Sequence, residues 1–175
     1  QTFGRTGELY AFQKFGLHSW VDVVTVGKML QACAVLFTAE VNPKPGLVAG
    51  TFSGSTMALR VARTTLRLLK EEGHLGRDGK TESLARRFET NFKKMAQGSA
   101  RGKIGEVRVI GGMVALEPTP GTLESCKAAL TRMFQGGVVA FYCGHGPYLI
   151  RMLPPLGVMT ESQVDEVCDI VGRSL

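Results

Sequence analysis

Two continuous apolar runs constrain the fold of this 175-residue chain more than any other feature of its sequence. The first is "VDVVTV", residues 21–26, and the second is "AVLFTAEV", Ala34–Val41. Runs without hydrophobic–polar alternation are typical of strands buried on both faces, which occur mainly in parallel sheets covered by helices. We therefore expect both runs to be strands of a parallel α/β sheet.

The rest of the chain alternates between helical and strand patterns. A helix is predicted after the loop "GTFSGS", with an apolar side formed by Met57, Val61, Leu68 and Leu69. Further helices are predicted at residues 82–97 and 123–134 and after the N-cap Thr160, and strands at residues 106–110, 113–118, 137–143 and 147–155. Because the composition changes near residues 70–80, we expect an α/β portion at 1–72 and a small α+β domain at 73–175.

Composition excludes several classes of function. The net charge is +6, but the basic residues are scattered and not interleaved with aromatics, which argues against nucleic-acid binding. No apolar run is long enough to span a membrane. The four cysteines are far apart, which predicts reduced thiols in a cytoplasmic protein and no metal site. Since the chain begins with Gln1 and opens into a glycine-rich turn, we expect it to be the C-terminal portion of a longer protein.

Lys28 is the first candidate for chemistry, because it follows the first apolar run after the single residue Gly27. Burial at a strand end disfavours the charged form of a lysine and lowers its pKa. A neutral amine can attack a carbonyl and form a Schiff base, which is the entry to pyridoxal-phosphate chemistry. The alternative is a lysine that simply reaches solvent from the strand end.

Thr51 and Arg151 are the other two candidates. Thr51 lies in a loop of small and hydroxyl residues before a helix, a pattern that favours binding of a phosphate. Arg151 lies in a strand pattern followed by two prolines, and its planar guanidinium suits a carboxylate. The alternatives are an ordinary helix N-cap for the threonine loop and a structural ion pair for the arginine.

Four segments taken together in this order resemble the class III aminotransferases. They are "QTFGRTGELYAF", "DVVTVGK", "GTFSGS" and "IRMLPPL", the last preceding a helix with an acidic start. These enzymes are pyridoxal-phosphate-dependent transferases of fold type I, related to the ornithine, acetylornithine, 4-aminobutyrate and lysine aminotransferases. The resemblance covers nearly the whole chain as the C-terminal portion of such an enzyme. It implies the end of the cofactor-binding large domain at residues 1–72 and the small domain at residues 73–175.

The resemblance also implies roles for four residues. Lys28 is similar to the lysine that forms the Schiff base with pyridoxal 5'-phosphate, and Gln1 to the glutamine that contacts the phenolic oxygen of the cofactor. Thr51 is similar to the threonine that reaches the cofactor phosphate of the neighbouring subunit, which implies a homodimer. Arg151 is similar to the arginine that binds the substrate carboxylate. The implied reaction moves an amino group from an amino acid or amine donor to a 2-oxo acid.

Three expectations remain open from the sequence. The aspartate that pairs with the pyridine nitrogen in this family would precede Gln1, so we expect these 175 residues to be inactive alone. The segment "TFSG" is similar to a loop of aminomutases, so another class III reaction, such as an aminomutase or a decarboxylating one, is an alternative. A third alternative is a degenerate chain that serves only as a dimerisation module.

Overall fold

A computed structural model describes residues 2–175 of the chain. The chain divides into two compact units, of which the first ends at Gly79 and the second runs from Lys80 to Leu175. The first unit contains a two-stranded sheet and a long helix, and the second contains a four-stranded sheet with three helices. The protein is therefore of mixed α/β class, as the sequence predicts.

The first unit contains two helices and two strands, joined by loops that include three 3-10 turns. In chain order the elements are α1 (Ala11–Lys14), a 3-10 turn (His18–Trp20), β1 (Val23–Val26), a 3-10 turn (Lys28–Leu30), β2 (Ala34–Phe37), a 3-10 turn (Ala39–Val41) and α2 (Thr56–Glu71). Both predicted strands therefore form, although the second ends at Phe37 and not at Val41.

The prediction of a parallel pair for these two strands is wrong. β1 and β2 pair antiparallel, with Val23 opposite Phe37 and Val26 opposite Ala34. The physical reason is the length of the connection, since residues 27–33 are too few for the crossover of a dozen or more residues that parallel neighbours require. Burial on both faces is also not observed, because every residue of β2 is exposed.

The core of the first unit joins the N-terminal turn, β1 and α2. Its buried members are Phe3, Val26, Leu30, Ala62 and Leu69. Gly4 allows the turn to approach α2, because its φ is +72° and a Cβ there would lie 2.9 Å from Cδ1 of Leu69. The turn is thus fastened to the helix by close packing that a larger residue would prevent.

The buried face of α2 differs from the one that the sequence predicts. Met57, Val61 and Leu68 are exposed, whereas Ala62 and Leu69 are buried. The helix carries two apolar stripes, and the one that contains the small Ala62 lies against the turn with Leu30. The small side chain of Ala62 permits this close approach of the turn to the helix.

The second unit is a four-stranded antiparallel sheet with the strand order β3-β4-β6-β5. In chain order its elements are α3 (Lys80–Gln97), β3 (Ile104–Ile110), β4 (Met113–Pro118), α4 (Leu123–Gln135), β5 (Phe141–Cys143), β6 (Leu149–Met152) and α5 (Glu161–Ser174). The predicted order of helix, two strands, helix, two strands and helix is confirmed.

The three helices of the second unit pack on one face of its sheet. Phe88, Phe92, Leu116, Ile150 and Val164 are among the side chains that are fully buried in the common core. α3 contributes Leu84, Phe88 and Phe92 to this core, and α4 contributes Cys126, Ala129 and Met133. The opposite face of the sheet is exposed at several positions of β3, β5 and β6. In residues 2–175 there is no helix with the length and apolar character needed to cross a membrane.

Candidate active site

Lys28 lies at the end of β1, at the first position of the 3-10 turn Lys28–Leu30. Its φ is 51°, in the left-handed region that residues other than glycine seldom adopt. The turn is held by Gln31, whose backbone N–H and side-chain amide donate to the Lys28 carbonyl oxygen at 3.0 and 2.9 Å. Leu30 anchors the other end of the turn in the core against α2. The backbone of Lys28 is therefore fixed in a conformation that costs free energy.

The expectation that the strand end buries the lysine is wrong for the described residues. Val26 and Gly27 are buried, but Lys28 is exposed, because the chain turns outward after Gly27. The amine therefore lies at the surface of the first unit, where an aldehyde can reach it. Residues 2–175 by themselves do not remove water from this amine.

Thr51 lies in the exposed turn at residues 51–54, which precedes α2. The turn is closed by Ser53, whose N–H and hydroxyl donate to the Gly50 carbonyl oxygen at 3.1 and 2.7 Å. Thr51 is not the N-cap of the helix. Ser55 occupies that position and makes no side-chain capping bond. The simple capping alternative therefore does not account for Thr51, and the first N–H groups of α2 lack a side-chain cap.

Arg151 lies in β6, between Ala115 of β4 and Phe141 of β5 in the register of the sheet. Its side chain is exposed, and its guanidinium carbon lies 5.9 Å from the centroid of the Phe141 ring. A cation over an aromatic face is a favourable contact that leaves the N–H groups at the guanidinium edge accessible. Within residues 2–175 no carboxylate pairs with Arg151, so the alternative of a structural ion pair is not supported.

The candidates fall in different units of the chain. Lys28 and Thr51 both belong to the first unit, where the lysine turn packs against the helix that follows the threonine loop. Arg151 belongs to the second unit. Gln1 lies outside the described residues.

The donor groups of the first unit fit pyridoxal phosphate chemically. Lys28 presents an accessible primary amine, which is the group that condenses with the aldehyde. The hydroxyl of Thr51 and the uncapped start of the 16-residue helix α2 are groups that bind phosphate. Among the described residues, no group of three or more His, Cys, Asp or Glu side chains could hold a metal ion.

Arg108, which no sequence motif singles out, lies on the same exposed sheet face as Arg151. Both residues pair with Ala115, from opposite sides of β4. The strand pattern of the segment "GEVRVI" predicts which residues share a face with Arg108, because residues at i and i+2 of a strand lie on the same face. The sequence alone does not say which strands become neighbours, and so it does not place the two arginines together.

Comparisons with known proteins agree with this description. The family model for class-III aminotransferases matches residues 1–175. Diaminobutyrate–2-oxoglutarate aminotransferase of Rhizobium meliloti (strain 1021) is 30% identical, over 94% of this chain and 37% of the relative. 4-Aminobutyrate aminotransferase of Mycobacterium leprae is 29% identical, over 99% of this chain and 40% of the relative.

A solved structure of lysine aminotransferase from M. tuberculosis has the same fold. Its TM-score is 0.82 at 21% identity, and the match covers 98% of this chain and 39% of that chain. The chain thus spans about two fifths of the length of the curated relatives that it matches. Because the family model matches from the first residue to the last, this chain belongs to the class-III aminotransferase family.

Proposed function

We propose that this chain is part of a pyridoxal-phosphate-dependent aminotransferase that moves an amino group from an amino acid or ω-amine to a 2-oxo acid. The observation that carries the proposal is the exposed amine of Lys28 at the end of β1, in a chain that matches the family model throughout. The relatives, which are named diaminobutyrate–2-oxoglutarate and 4-aminobutyrate aminotransferases, support the reaction class.

In this proposal Lys28 holds the cofactor through its amine. When bound, the cofactor supplies an electron sink that acidifies the C–H bond next to the substrate nitrogen. After the substrate amine has displaced Lys28, the free amine of Lys28 accepts that proton as general base. The same amine then gives the proton up as general acid. The fixed turn at Lys28–Leu30 supports this role, because it holds the base of the side chain in one place.

Arg151 binds the substrate carboxylate through two parallel hydrogen bonds from its guanidinium. Holding the carboxylate fixes which bond of the substrate carbon is broken, since the orientation of the bound molecule decides this. The guanidinium of Arg151 supports the assignment, because no carboxylate of residues 2–175 pairs with it. Gln1 contacts the phenolic oxygen of the cofactor, and Thr51 contacts the cofactor phosphate of the neighbouring subunit in a homodimer.

We assign residues 1–72 to the large cofactor-binding domain and residues 73–175 to the small domain. The division of the chain into two compact units supports this assignment, although residues 73–79 pack with the first unit. In particular, the N–H of Gly76 donates to the carbonyl of Gly7 at 2.8 Å. We place the protein in the cytoplasm, which the four free cysteines support.

The test uses the full-length gene product and two lysine variants. Lys28→Ala should lose both the visible absorbance of protein-bound cofactor and amino transfer to 2-oxoglutarate from a panel of donors. The matched control is Lys44→Ala, which removes an exposed lysine from the loop between β2 and α2. Borohydride reduction of the unaltered enzyme should leave a pyridoxyl group on the peptide that contains Lys28. Retention of absorbance and turnover by Lys28→Ala would refute the assignment.

The same experiment separates the alternatives. A full-length protein that binds no cofactor would be a non-catalytic dimerisation module, and one that rearranges or decarboxylates its substrate would belong to another class III reaction.

The 175-residue chain with added cofactor and amino donor should show no conversion of pyridoxal phosphate to pyridoxamine phosphate. Complete conversion by this chain would contradict its proposed inactivity.

A further inference from the structure

Both peptide planes that flank the Cα atom of Lys28 are held by hydrogen bonds within one turn. The carbonyl of Gly27, on the N-terminal side, accepts from the N–H of Leu30 at 3.2 Å. The carbonyl of Lys28 itself accepts from the backbone N–H of Gln31 at 3.0 Å and from the side-chain amide of Gln31 at 2.9 Å. Because the two planes determine the direction of the Cα–Cβ bond, this turn sets the direction in which the lysine side chain leaves the backbone.

Gln31 has a backbone conformation that a side chain makes unfavourable. Its φ is 63° and its ψ is 0°, in the left-handed region. Of the described residues other than glycine, only Lys28 and Gln31 have a positive φ, and both lie in this turn. Glycine would adopt the conformation of Gln31 without the strain. The glutamine side chain offsets this cost by a contact, since its amide donates to the Lys28 carbonyl.

The side-chain hydrogen bond fills the second acceptor position of the Lys28 carbonyl. A carbonyl oxygen has two lone pairs, and Gln31 supplies a donor to each of them. Two other contacts of the turn do not involve Gln31. Leu30 is buried in the core, and Gly27 lies against Cys33, where a Cβ on the glycine would be 3.0 Å from Sγ. Loss of the Gln31 amide should therefore loosen the orientation of Lys28 without unfolding the turn.

We propose that Gln31 is a positioning residue, which fixes the direction of the Lys28 side chain through the Lys28 carbonyl. In the proposed reaction the amine of Lys28 condenses with an aldehyde with loss of water, and later it accepts a proton from the substrate carbon and gives it up again. Each step needs the amine nitrogen close to one particular atom, and a misplaced amine reacts more slowly. The inference rests on the proposed role of Lys28 and deepens it by naming the residue that orients the amine.

Cofactor loading of the full-length gene product tests the proposal without a measurement of turnover. The cofactor is removed with phenylhydrazine, saturating pyridoxal 5'-phosphate is added back, and the visible absorbance of protein-bound cofactor is followed by stopped flow. Gln31→Met keeps the length of the side chain and removes its N–H donor, so the absorbance should return about tenfold more slowly. Gln31→Gly lacks the same donor and should be slowed about as much. The matched control is Gln97→Met, which alters an exposed glutamine at the end of α3 and should load at the unaltered rate.

The same two variants separate positioning from a purely structural role. Glycine adopts the left-handed conformation without the penalty of a Cβ, so the apoprotein of Gln31→Gly should melt at a higher temperature than that of Gln31→Met. If Gln31 only stabilised the turn, the loading rate would follow the melting temperature. Under the proposal both variants load slowly whatever their stability, since neither gives the Lys28 carbonyl its second donor.

Amino transfer by the full-length enzyme gives a second readout. With the most active donor of the panel, the kcat of both Gln31 variants should fall about tenfold while KM changes less than about twofold, because the substrate contacts are unaltered. Deuterium at the substrate carbon that bears the amino group should slow the variants at least as much as it slows the unaltered enzyme. The reason is that proton transfer by Lys28 is the step that the variants impair.

Loading of both variants at the unaltered rate would overturn the inference, and so would a loading rate that follows the melting temperature. Disappearance of the isotope effect in the slowed variants would also overturn it, because the slow step would then not involve the amine of Lys28. These results would leave the proposed function standing, since Lys28 would still carry the cofactor. Absence of visible absorbance from the unaltered full-length protein would instead overturn the proposed function and this inference together.

Discussion

At the scale of single residues, Lys28 combines a strained backbone with an exposed amine. Its φ of 51° lies where a side chain is unfavourable, yet the turn is held by Gln31 on one side and Leu30 on the other. Strain of this kind persists only where the surrounding structure fixes the conformation. A lysine at this position is therefore explained by its proposed chemistry and not by stability.

Replacement of Lys28 should show this strain in the stability of the 175-residue chain. We expect Lys28→Gly to be about 1 kcal/mol more stable than Lys28→Ala, because glycine adopts the left-handed conformation without the penalty that a Cβ carries. Urea denaturation, monitored by circular dichroism, measures the difference. Equal stability of the two variants would show that the backbone at this position relaxes at no cost.

A second residue-scale feature is the ion pair between α3 and α5. Arg87 donates from Nε to Oδ1 of Asp165 at 2.8 Å and from Nη2 to Oδ2 at 2.5 Å. Asn91 also donates to Asp165, at 2.8 Å. These hydrogen bonds, that of Arg87 first, lower the pKa of Asp165 to about 2.

This shift predicts a pH dependence of stability. Because the pKa of Asp165 is lower in the folded chain than the value of about 3.9 in an unfolded one, its contribution is complete above pH 4 or so and is lost as the pH falls toward 2. The melting temperature of Asp165→Asn should therefore fall less between about pH 5 and about pH 2 than that of the unaltered chain. Parallel melting curves over this range would contradict the assignment.

At the scale of elements, two helices of the second unit, α4 and α5, begin with a capping threonine. Thr160 caps α5: its hydroxyl accepts from the N–H of Gln163 at 3.3 Å, and its own N–H donates to the side chain of Gln163 at 2.9 Å. Thr122 and Ser125 make the same reciprocal pattern at the start of α4. These bonds satisfy N–H groups that a helix leaves without partners at its start.

The cap of α5 gives an element-scale prediction. Thr160→Ala should lower the free energy of unfolding by about 1 kcal/mol, because the N–H of Gln163 loses its acceptor. The control is Thr131→Ala, whose hydroxyl donates only to the Lys127 carbonyl within α4 and caps nothing. Guanidinium denaturation of both variants separates the loss of a cap from the loss of a threonine. An equal change in the two would show that the cap contributes nothing.

At the scale of the whole molecule, the two units differ in how completely they bury their apolar residues. The second unit has a closed core between its sheet and helices. In the first unit the second apolar stripe of α2, formed by Met57, Val61 and Leu68, is exposed, with Met57 at 75%. A continuous exposed apolar stripe marks a surface that associates with other protein.

We therefore expect the 175-residue chain to associate with itself when it is produced alone. Replacing Met57, Val61 and Leu68 together with glutamine should reduce the association seen by light scattering, because the apolar stripe is removed. The matched control replaces Phe134, Val139 and Val158, three exposed apolar residues of the second unit that do not share one helix face. Equal effects of the two triple variants would show that no particular surface drives the association.

Local patterns were sufficient to predict most elements of the fold. The helix from Lys80 to Gln97 and the capped helix after Thr160 follow from apolar spacing and capping residues, which act within a few turns of the chain. The short connection between β1 and β2 also predicts their antiparallel pairing, whereas their continuous apolar character favours a parallel sheet. The buried stripe of α2 could not be predicted, because both of its stripes are apolar and the choice depends on the turn at Leu30.

The sequence by itself determined the order of helices and strands, the family resemblance and the identity of the candidate residues, because these depend on local pattern and residue chemistry. Only the tertiary structure decided that Lys28 is exposed in a strained turn, that Thr51 is not a cap, and that Arg108 stands in one row with Arg151. Exposure and strand neighbours arise from contacts between segments distant in sequence, and the spacing of residues along the chain carries no direct record of those contacts.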